Sequence, residues 1–253
     1  MWCACSPDAR LLLWGALALV LAACGGRGNG SAAAGRASPV PPAVTATVTA
    51  TPTSIPRRWD DLDCPAAARL QAALAPPTAP PADQDLARAG VQVLCALRAG
   101  RWDRVADYIH PRQGVVFSPD AYLDAHDLRF TAAEVARLPH DPTAWVWGDD
   151  PASGRPLALP FAEYAARYVY DGPYWEQGRP ALDQRQVAST VEDNHAAAFP
   201  GSRVVEFTLP GHAEYGGLDA RSLRLVFLPG EALPDGLPGT WCLVAIVHDA
   251  WAP

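Results

Sequence analysis

A histidine and an aspartate stand side by side where a long apolar run ends, in "TWCLVAIVHDAW" (His248, Asp249). An imidazole titrates near neutral pH and works as a general acid or base when a partner orients it. Strand geometry separates this pair. Side chains alternate along a strand, so Cys242, Val244, Ile246 and His248 share one face. Trp241, Leu243, Ala245, Val247 and Asp249 share the other. Two nearby segments carry ionisable groups in the same alternating setting. In "RVVEFTL", Val205, Phe207 and Leu209 leave Glu206 and Thr208 opposite; in "SLRLVF", Leu223, Leu225 and Phe227 leave Ser222 and Arg224 opposite. Pairing the apolar faces brings Glu206 and Arg224 together. If His248 joins them, a histidine base lines a polar pocket in which Glu206 and Arg224 orient a substrate. The plainer expectation is a cross-strand ion pair on a solvated face.

Other candidates lie in connections. "PGHAEYGGLDARS" is a long loop carrying His212, Glu214, Tyr215 and Asp219, and loops of that length often serve function. It is the preferred surface for a ligand or partner. His195 follows Glu192 and Asp193, but that spacing is unspecific for a divalent cation and helix capping is the expected role. His110 falls at the end of a predicted helix, where the dipole favours an imidazolium cap. His126-Asp127 and His140-Asp141 sit in polar connections. No HExxH, P-loop, GxSxG, EF-hand loop or C-x-x-C pair occurs, so no metal or cofactor is expected. Trp102, Trp145, Trp147, Trp175, Trp241 and Trp251 fall near element ends and are expected to pack in or around the core.

These residues need a scaffold. "DLDCPAAARLQAALAPP", with Asp63 as N-cap, "DQDLARAGVQVLCALRAG", ending at Gly100, and "RWDRVADYIHP" have helical period. "GVVFS" and "LRF" are short strands, and "TAAEVARL" is a capping box with Thr131 as N-cap and Glu134 reaching back. "TAWVWGDDPASGRPLAL" makes two strands around a turn, and "PFAEYAARYVYD" one more helix. "RVVEFTL", "SLRLVFL" and "TWCLVAIVHD" form an antiparallel meander. Helices ahead of hairpin-connected strands predict an α+β domain with N-terminal helices packed on a curved, mainly antiparallel sheet. This order resembles the NTF2-like or cystatin-like roll from about Asp85 to Trp251.

The chain starts "MWCACSPDARLLLWGALALVLAACGG". The uncharged run Leu11–Leu21 is shorter than the roughly 20 residues of a spanning helix and fits a secretory signal. "LAAC" (Leu21, Ala22, Ala23, Cys24) resembles the lipobox of bacterial lipoproteins, which implies diacylglycerol on Cys24 and cleavage before it. Residues 1–23 are thus a signal peptide. Residues 24–58, rich in Gly, Ala, Ser, Thr and Pro, form a tether, and 59–253 a single globular domain. "HPRQGVVFSPDAY", "FAEYAARYVYD", "YGGLDARSLRLVF" and "WCLVAIVHDAW" are similar to blocks in a group of uncharacterised bacterial lipoproteins, which implies kinship but no activity.

Outside a membrane disulfides persist, and Cys64 at one predicted helix start pairs with Cys95 in the next, leaving Cys242 as a buried thiol. All 20 basic residues are arginine and the net charge is −7, with no basic patch, which excludes nucleic acid as a partner. The expectation is a lipid-anchored envelope protein, facing the extracytoplasmic side, that binds an unknown protein or small molecule without catalysis. The alternatives are a scattered-site NTF2-like enzyme with a His general base (His248 or His212) and a structural envelope component.

Overall fold

The computed structural model describes residues 62–150, 153–230 and 241–250. The signal segment, Cys24, the tether and Trp251 lie outside the described residues. The chain divides into two units, and everything described belongs to the second, Ser54–Pro253.

Its element order is α1 (Ala67–Leu74), α2 (Pro81–Arg98), α3 (Trp102–Ala106), β1 (Val115–Ser118), β2 (Leu128–Phe130), α4 (Ala132–Val135), β3 (Ala144–Asp149) and β4 (Pro156–Pro160). There follow α5 (Phe161–Tyr168), α6 (Tyr174–Gln177), β5 (Arg179–Leu182), α7 (His195–Ala198), β6 (Arg203–Leu209), β7 (Arg221–Pro229) and β8 (Trp241–Ala250). Six strands form one sheet in the order β2-β1-β8-β7-β6-β5, and β3 and β4 make a separate hairpin. Every pairing in the large sheet is antiparallel except β1 with β8, where Val116 lies against Ala245. The fold is therefore α+β with a mostly antiparallel sheet.

Alternation on the central strands builds two apolar layers. Val205, Phe207, Leu223, Leu225, Phe227 and Ile246 face the helices, joining Leu86, Leu94, Phe161 and Tyr164 in the main core. Val204, Val226, Leu228, Val244, Ala245 and Val247 face the other way, into a smaller cluster closed by Leu123 and Phe199. Val244 and Ala245 share that outer layer because the β7–β8 register shifts between Val226 and Phe227. A bulge of this kind inserts one residue and breaks strict alternation, which corrects the predicted faces of this strand: Cys242 and Val244 lie with Ala245, Val247 and Asp249, not with Ile246 and His248. Helix α2 lies close on the sheet at Gly90, where an added Cβ would come 2.6 Å from a Val205 methyl. Only glycine admits that approach.

Cys64 and Cys95 form a disulfide with Cα atoms 5.9 Å apart, tying the segment before α1 to α2. Cys242 is buried and outside it. Two N-terminal expectations are corrected. The cap position of α1 is Ala66, in the left-handed region and without a side-chain bond, so Asp63 is not the cap. The α3 helix ends at Ala106, and Ile109 and His110 instead bridge to Leu243 and Gly114. His110 is thus buried in the sheet margin. Its Nδ1 accepts N–H bonds from Arg112 (3.3 Å) and Gln113 (2.9 Å). Burial, with the nearby Arg112 charge, pushes its pKa below 6.5, which is the opposite of an imidazolium cap.

Candidate functional site

The sheet separates His248 from Glu206 and Arg224. Glu206 lies opposite Arg224 in the β6–β7 register, as strand alternation requires. His248, however, pairs with Leu223 and so faces the helices, while Asp249 pairs with Ser222 and shares the face of Arg224. That face is also not solvated. The segment from Asp183 to Phe199 crosses it, held by charge. Asp249, fully buried, accepts from Arg185 Nε at 2.6 Å and Nη2 at 2.8 Å. The Arg224 guanidinium, 4% exposed, reaches Asp193, Glu206 (3.3 Å) and Asp249 (3.6 Å). Glu206 also accepts from the Gln186 amide (3.0 Å) and the Thr208 hydroxyl (2.9 Å). Burial pushes its carboxyl up. Burial acts upward on Asp193 too, but bonds from His195 and Arg224 outweigh it and hold that carboxyl below its usual range. This is a closed network with two arginines among three carboxylates. It pins a strap to the sheet.

His248 meets different partners. Its Nε2 lies 3.4 Å from Asp171, and the Tyr168 ring stands edge-on with centroids 5.6 Å apart. Asp171 accepts from the Tyr174 hydroxyl at 2.6 Å and pairs with Arg221. Burial pushes the Asp171 carboxyl up, but His248, Tyr174 and Arg221 together bring it below the usual value.

A cleft of about 500 Å³ opens at the same end of the sheet. Parallel pairing of β1 with β8 sets Ser118 against Val247, so the chain after β1 emerges beside the end of β8. One wall is this β1–β2 connection, with Pro119, Asp120, Tyr122, Asp124, His126 and Asp127; the other is the β3–β4 hairpin, with Val146, Gly148, Asp149 and Pro156. Asx-type turns shape the first wall. Asp120 accepts the Tyr122 amide (2.8 Å), Asp124 the His126 amide (2.8 Å), and Asp127 the Asp124 amide (2.9 Å). On the second wall Gly148 has φ +111°, at an irregularity in the β3–β4 register. The strand turns there at a conformation L side chains rarely adopt.

The electrostatics of the cleft are one-sided. Burial, against hydrogen bonds from the Asp124 amide and Ser118 and with the charges of Asp120 and Asp124, pushes the Asp127 carboxyl up to about 7. Asp120 is also raised, by burial first and then by Asp249 and Asp124. Behind the hairpin Trp147 stacks on Tyr164 with ring centroids 4.0 Å apart. The Tyr164 hydroxyl is buried, has no hydrogen-bond partner among the described residues, and feels the charges of Asp127 and Asp120. A carboxyl that titrates near neutral pH is suited to proton exchange or to holding a cation. The strongest sequence cue for this site was only the dipeptide His126-Asp127. Nothing in its local pattern indicated burial, which comes from the hairpin opposite.

The loop chosen from sequence as a ligand surface folds on itself. His212 and Asp219 pair through Nδ1, Asp219 accepts the His212 amide at 2.7 Å, and Ala213–Tyr215 form a 3-10 turn. Glu214 and Tyr215 are exposed, Tyr215 at 59%, and the loop contributes nothing to the cleft lining. His195 bonds to Asp193 at 2.7 Å at the start of α7. Among the described residues no three His, Cys, Asp or Glu side chains are grouped as a metal site requires.

No family model and no curated protein matches the chain. Among solved structures it is similar to one described as a calcium/calmodulin dependent protein kinase II association domain from Xanthomonas campestris. The two share 15% identity over 68% of this chain and 87% of that one, with a TM-score of 0.27. A TM-score that low does not establish a common fold.

Proposed function

We propose that the chain is a lipid-anchored, extracytoplasmic binding domain of the cell envelope, an NTF2-like roll on a flexible tether that holds a small ligand in the acidic cleft. The cleft carries this reading. Its volume of about 500 Å³ lies inside the roughly 300–1,000 Å³ range of small-molecule sites, and ionisable groups converge on it together with Tyr122 and Val146. The order of helices and strands supports the roll. "LAAC" at Leu21–Cys24 supports the anchor. Metabolic labelling with a palmitate analogue tests it: the wild type takes label and Cys24→Ser does not, and label retained in the variant refutes the anchor. Isotope-labelled protein titrated with a fragment library tests the site. Ligands are expected to shift amides of Asp120–Asp127 and Val146–Asp149, and hits confined to other regions would overturn it.

One observation favours a second reading, an acid–base enzyme at the same cleft. Asp127 changes charge near neutral pH, and His248 and Asp120 stand close enough for their charges to interact. Under the binding reading a ligand recovered from the complex is chemically intact. Conversion of the ligand, lost in Asp127→Asn, selects the enzyme.

A further inference from the structure

We infer that the cleft's ligand is a small organic cation, a protonated amine on a compact apolar body, held between Asp120 and Asp127 on one wall and Asp149 on the other. This deepens the binding reading and rests on it. Four carboxylates, one imidazole and the Tyr122 phenol are the ionisable groups of the lining, and no arginine is among them. Asp124 has His126 at 2.6 Å, whereas Asp120, Asp127 and Asp149 make no ion pair among the described residues. Elsewhere in the fold buried or half-buried carboxylates sit against arginine, as Asp249, Glu206, Asp193 and Asp171 do. The cleft thus gathers carboxylates without an arginine, whereas those four are each paired with one.

The apolar half of the ligand follows from the same walls. Of the large hydrophobic side chains that stay exposed, Tyr122 (45%) and Val146 (54%) both line this cleft. Behind Trp147, outside the cleft lining, the fully buried Tyr164 hydroxyl has no hydrogen-bond partner among the described residues and feels the charges of Asp127 and Asp120. A bare metal ion fits less well, because the carboxylates are spread along the cleft and do not gather as a chelating set. An ammonium group, with N–H donors to offer, satisfies such acceptors separately.

Charge linkage gives the inference a second readout. The groups facing Asp127 are Asp120 and Asp124 with His126 on its own loop, Asp149 from β3 and Tyr164 from α5; His248 and Asp249 of β8 act on Asp120. With Asp127 raised to about 7, an entering cation draws it into the charged form and releases its proton below that pH.

The test uses three probes of one shape, benzylamine, benzyl alcohol and benzoate, titrated into labelled protein and followed at the cleft amides. Benzylamine is expected to bind at least tenfold more tightly than benzyl alcohol, with benzoate silent. Its affinity should rise about tenfold from pH 6 to pH 8 as Asp127 ionises. Asp127→Asn keeps the acceptor for the Asp124 amide and is expected to lower benzylamine affinity at least tenfold; because burial disfavours the charged carboxylate, the melting temperature at neutral pH should hold or rise, not fall. Benzyl alcohol or benzoate binding the cleft as well as benzylamine overturns the cation inference and leaves the cleft a binding site. Unchanged benzylamine affinity in Asp127→Asn overturns it too. If no probe and no library fragment perturbs the cleft, the binding reading falls and this inference with it.

Discussion

Replacing Arg224 by leucine separates a structural network from a ligand-orienting one. The guanidinium is 4% exposed and faces Glu206 (0%) and Asp249 (1%) across the β6–β7–β8 face. In the variant Asp249 keeps both of its bonds to Arg185 and the part-exposed Asp193 keeps its bond to His195, so Glu206 is the fully buried carboxylate left without a counter-charge. Breaking a buried pair on one side costs about 3–5 kcal/mol. For a domain of 150–250 residues that corresponds to a fall in Tm of roughly 6–20 °C. The pH dependence has a definite sign. Burial already raises the Glu206 carboxyl above its ordinary 4.5, and loss of Arg224 raises it further. The folded variant then favours the protonated acid, so the deficit is full above the folded pKa and shrinks as pH falls toward 4.5. Urea unfolding followed by tryptophan fluorescence reads both effects. Adding Glu206→Gln keeps an acceptor for Gln186 and Thr208 and should restore at least 1 kcal/mol, on the scale of coupling between contacting residues. A pH-independent loss below about 1 kcal/mol, with no recovery in the double variant, would refute the claim that the arginine neutralises buried carboxylates.

Three further outcomes are expected. His110 is held neutral, so its stability contribution is complete above the unfolded pKa near 6.5 and is lost as pH falls below it. His110→Asn, which keeps an acceptor for the Arg112 and Gln113 amides, should flatten the unfolding curve between pH 6.5 and pH 5 (pH values on the order of ordinary acid titrations). Reducing Cys64–Cys95 removes a cross-link between positions 31 residues apart and should cost roughly 3–4 kcal/mol by chain entropy, read as a lower urea midpoint under reductant. Asn194→Ala deletes the side chain that donates to the Leu123 carbonyl (3.0 Å) and accepts its amide (2.8 Å). It should cost about 1–3 kcal/mol and speed hydrogen exchange at Leu123 and its neighbours on the cleft wall; unchanged exchange would show that the clip does not hold that wall.

Strand alternation made much of the sheet legible. Val205, Phe207, Leu223, Leu225 and Phe227 share the helix-facing core, and Glu206 lies opposite Arg224. The capping box at Thr131 and Glu134 forms as its residue types dictate. What the sequence hid was long-range. Parallel pairing of Val116 with Ala245 leaves no local signature, nor does β5, whose Pro180 disguises an edge strand. The strap over Glu206 contains Asp183, Arg185 and Asp193, residues that read as a polar loop and cover the sheet only because buried charges receive them. The cleft was missed for the same reason. Asp120 and Asp127 are ordinary turn residues by type, and their burial is decided by a hairpin some twenty residues further on.

The position of β8 bears on how the chain acquires its structure. It lies inside the sheet, between β1 and β7, yet follows both in the order of synthesis. Until Trp241–Ala250 leaves the ribosome, β2 and β1 have no hydrogen-bonded route to β7, β6 and β5. At ordinary elongation rates the interval between making Val116 and making Ala245 is on the order of ten seconds. By its end the nascent chain carries the strands of two half-sheets, β2-β1 and β7-β6-β5, each with an edge open where β8 inserts. The closing strand therefore acts as a timing device, delaying cooperative folding until nearly the whole domain has been made.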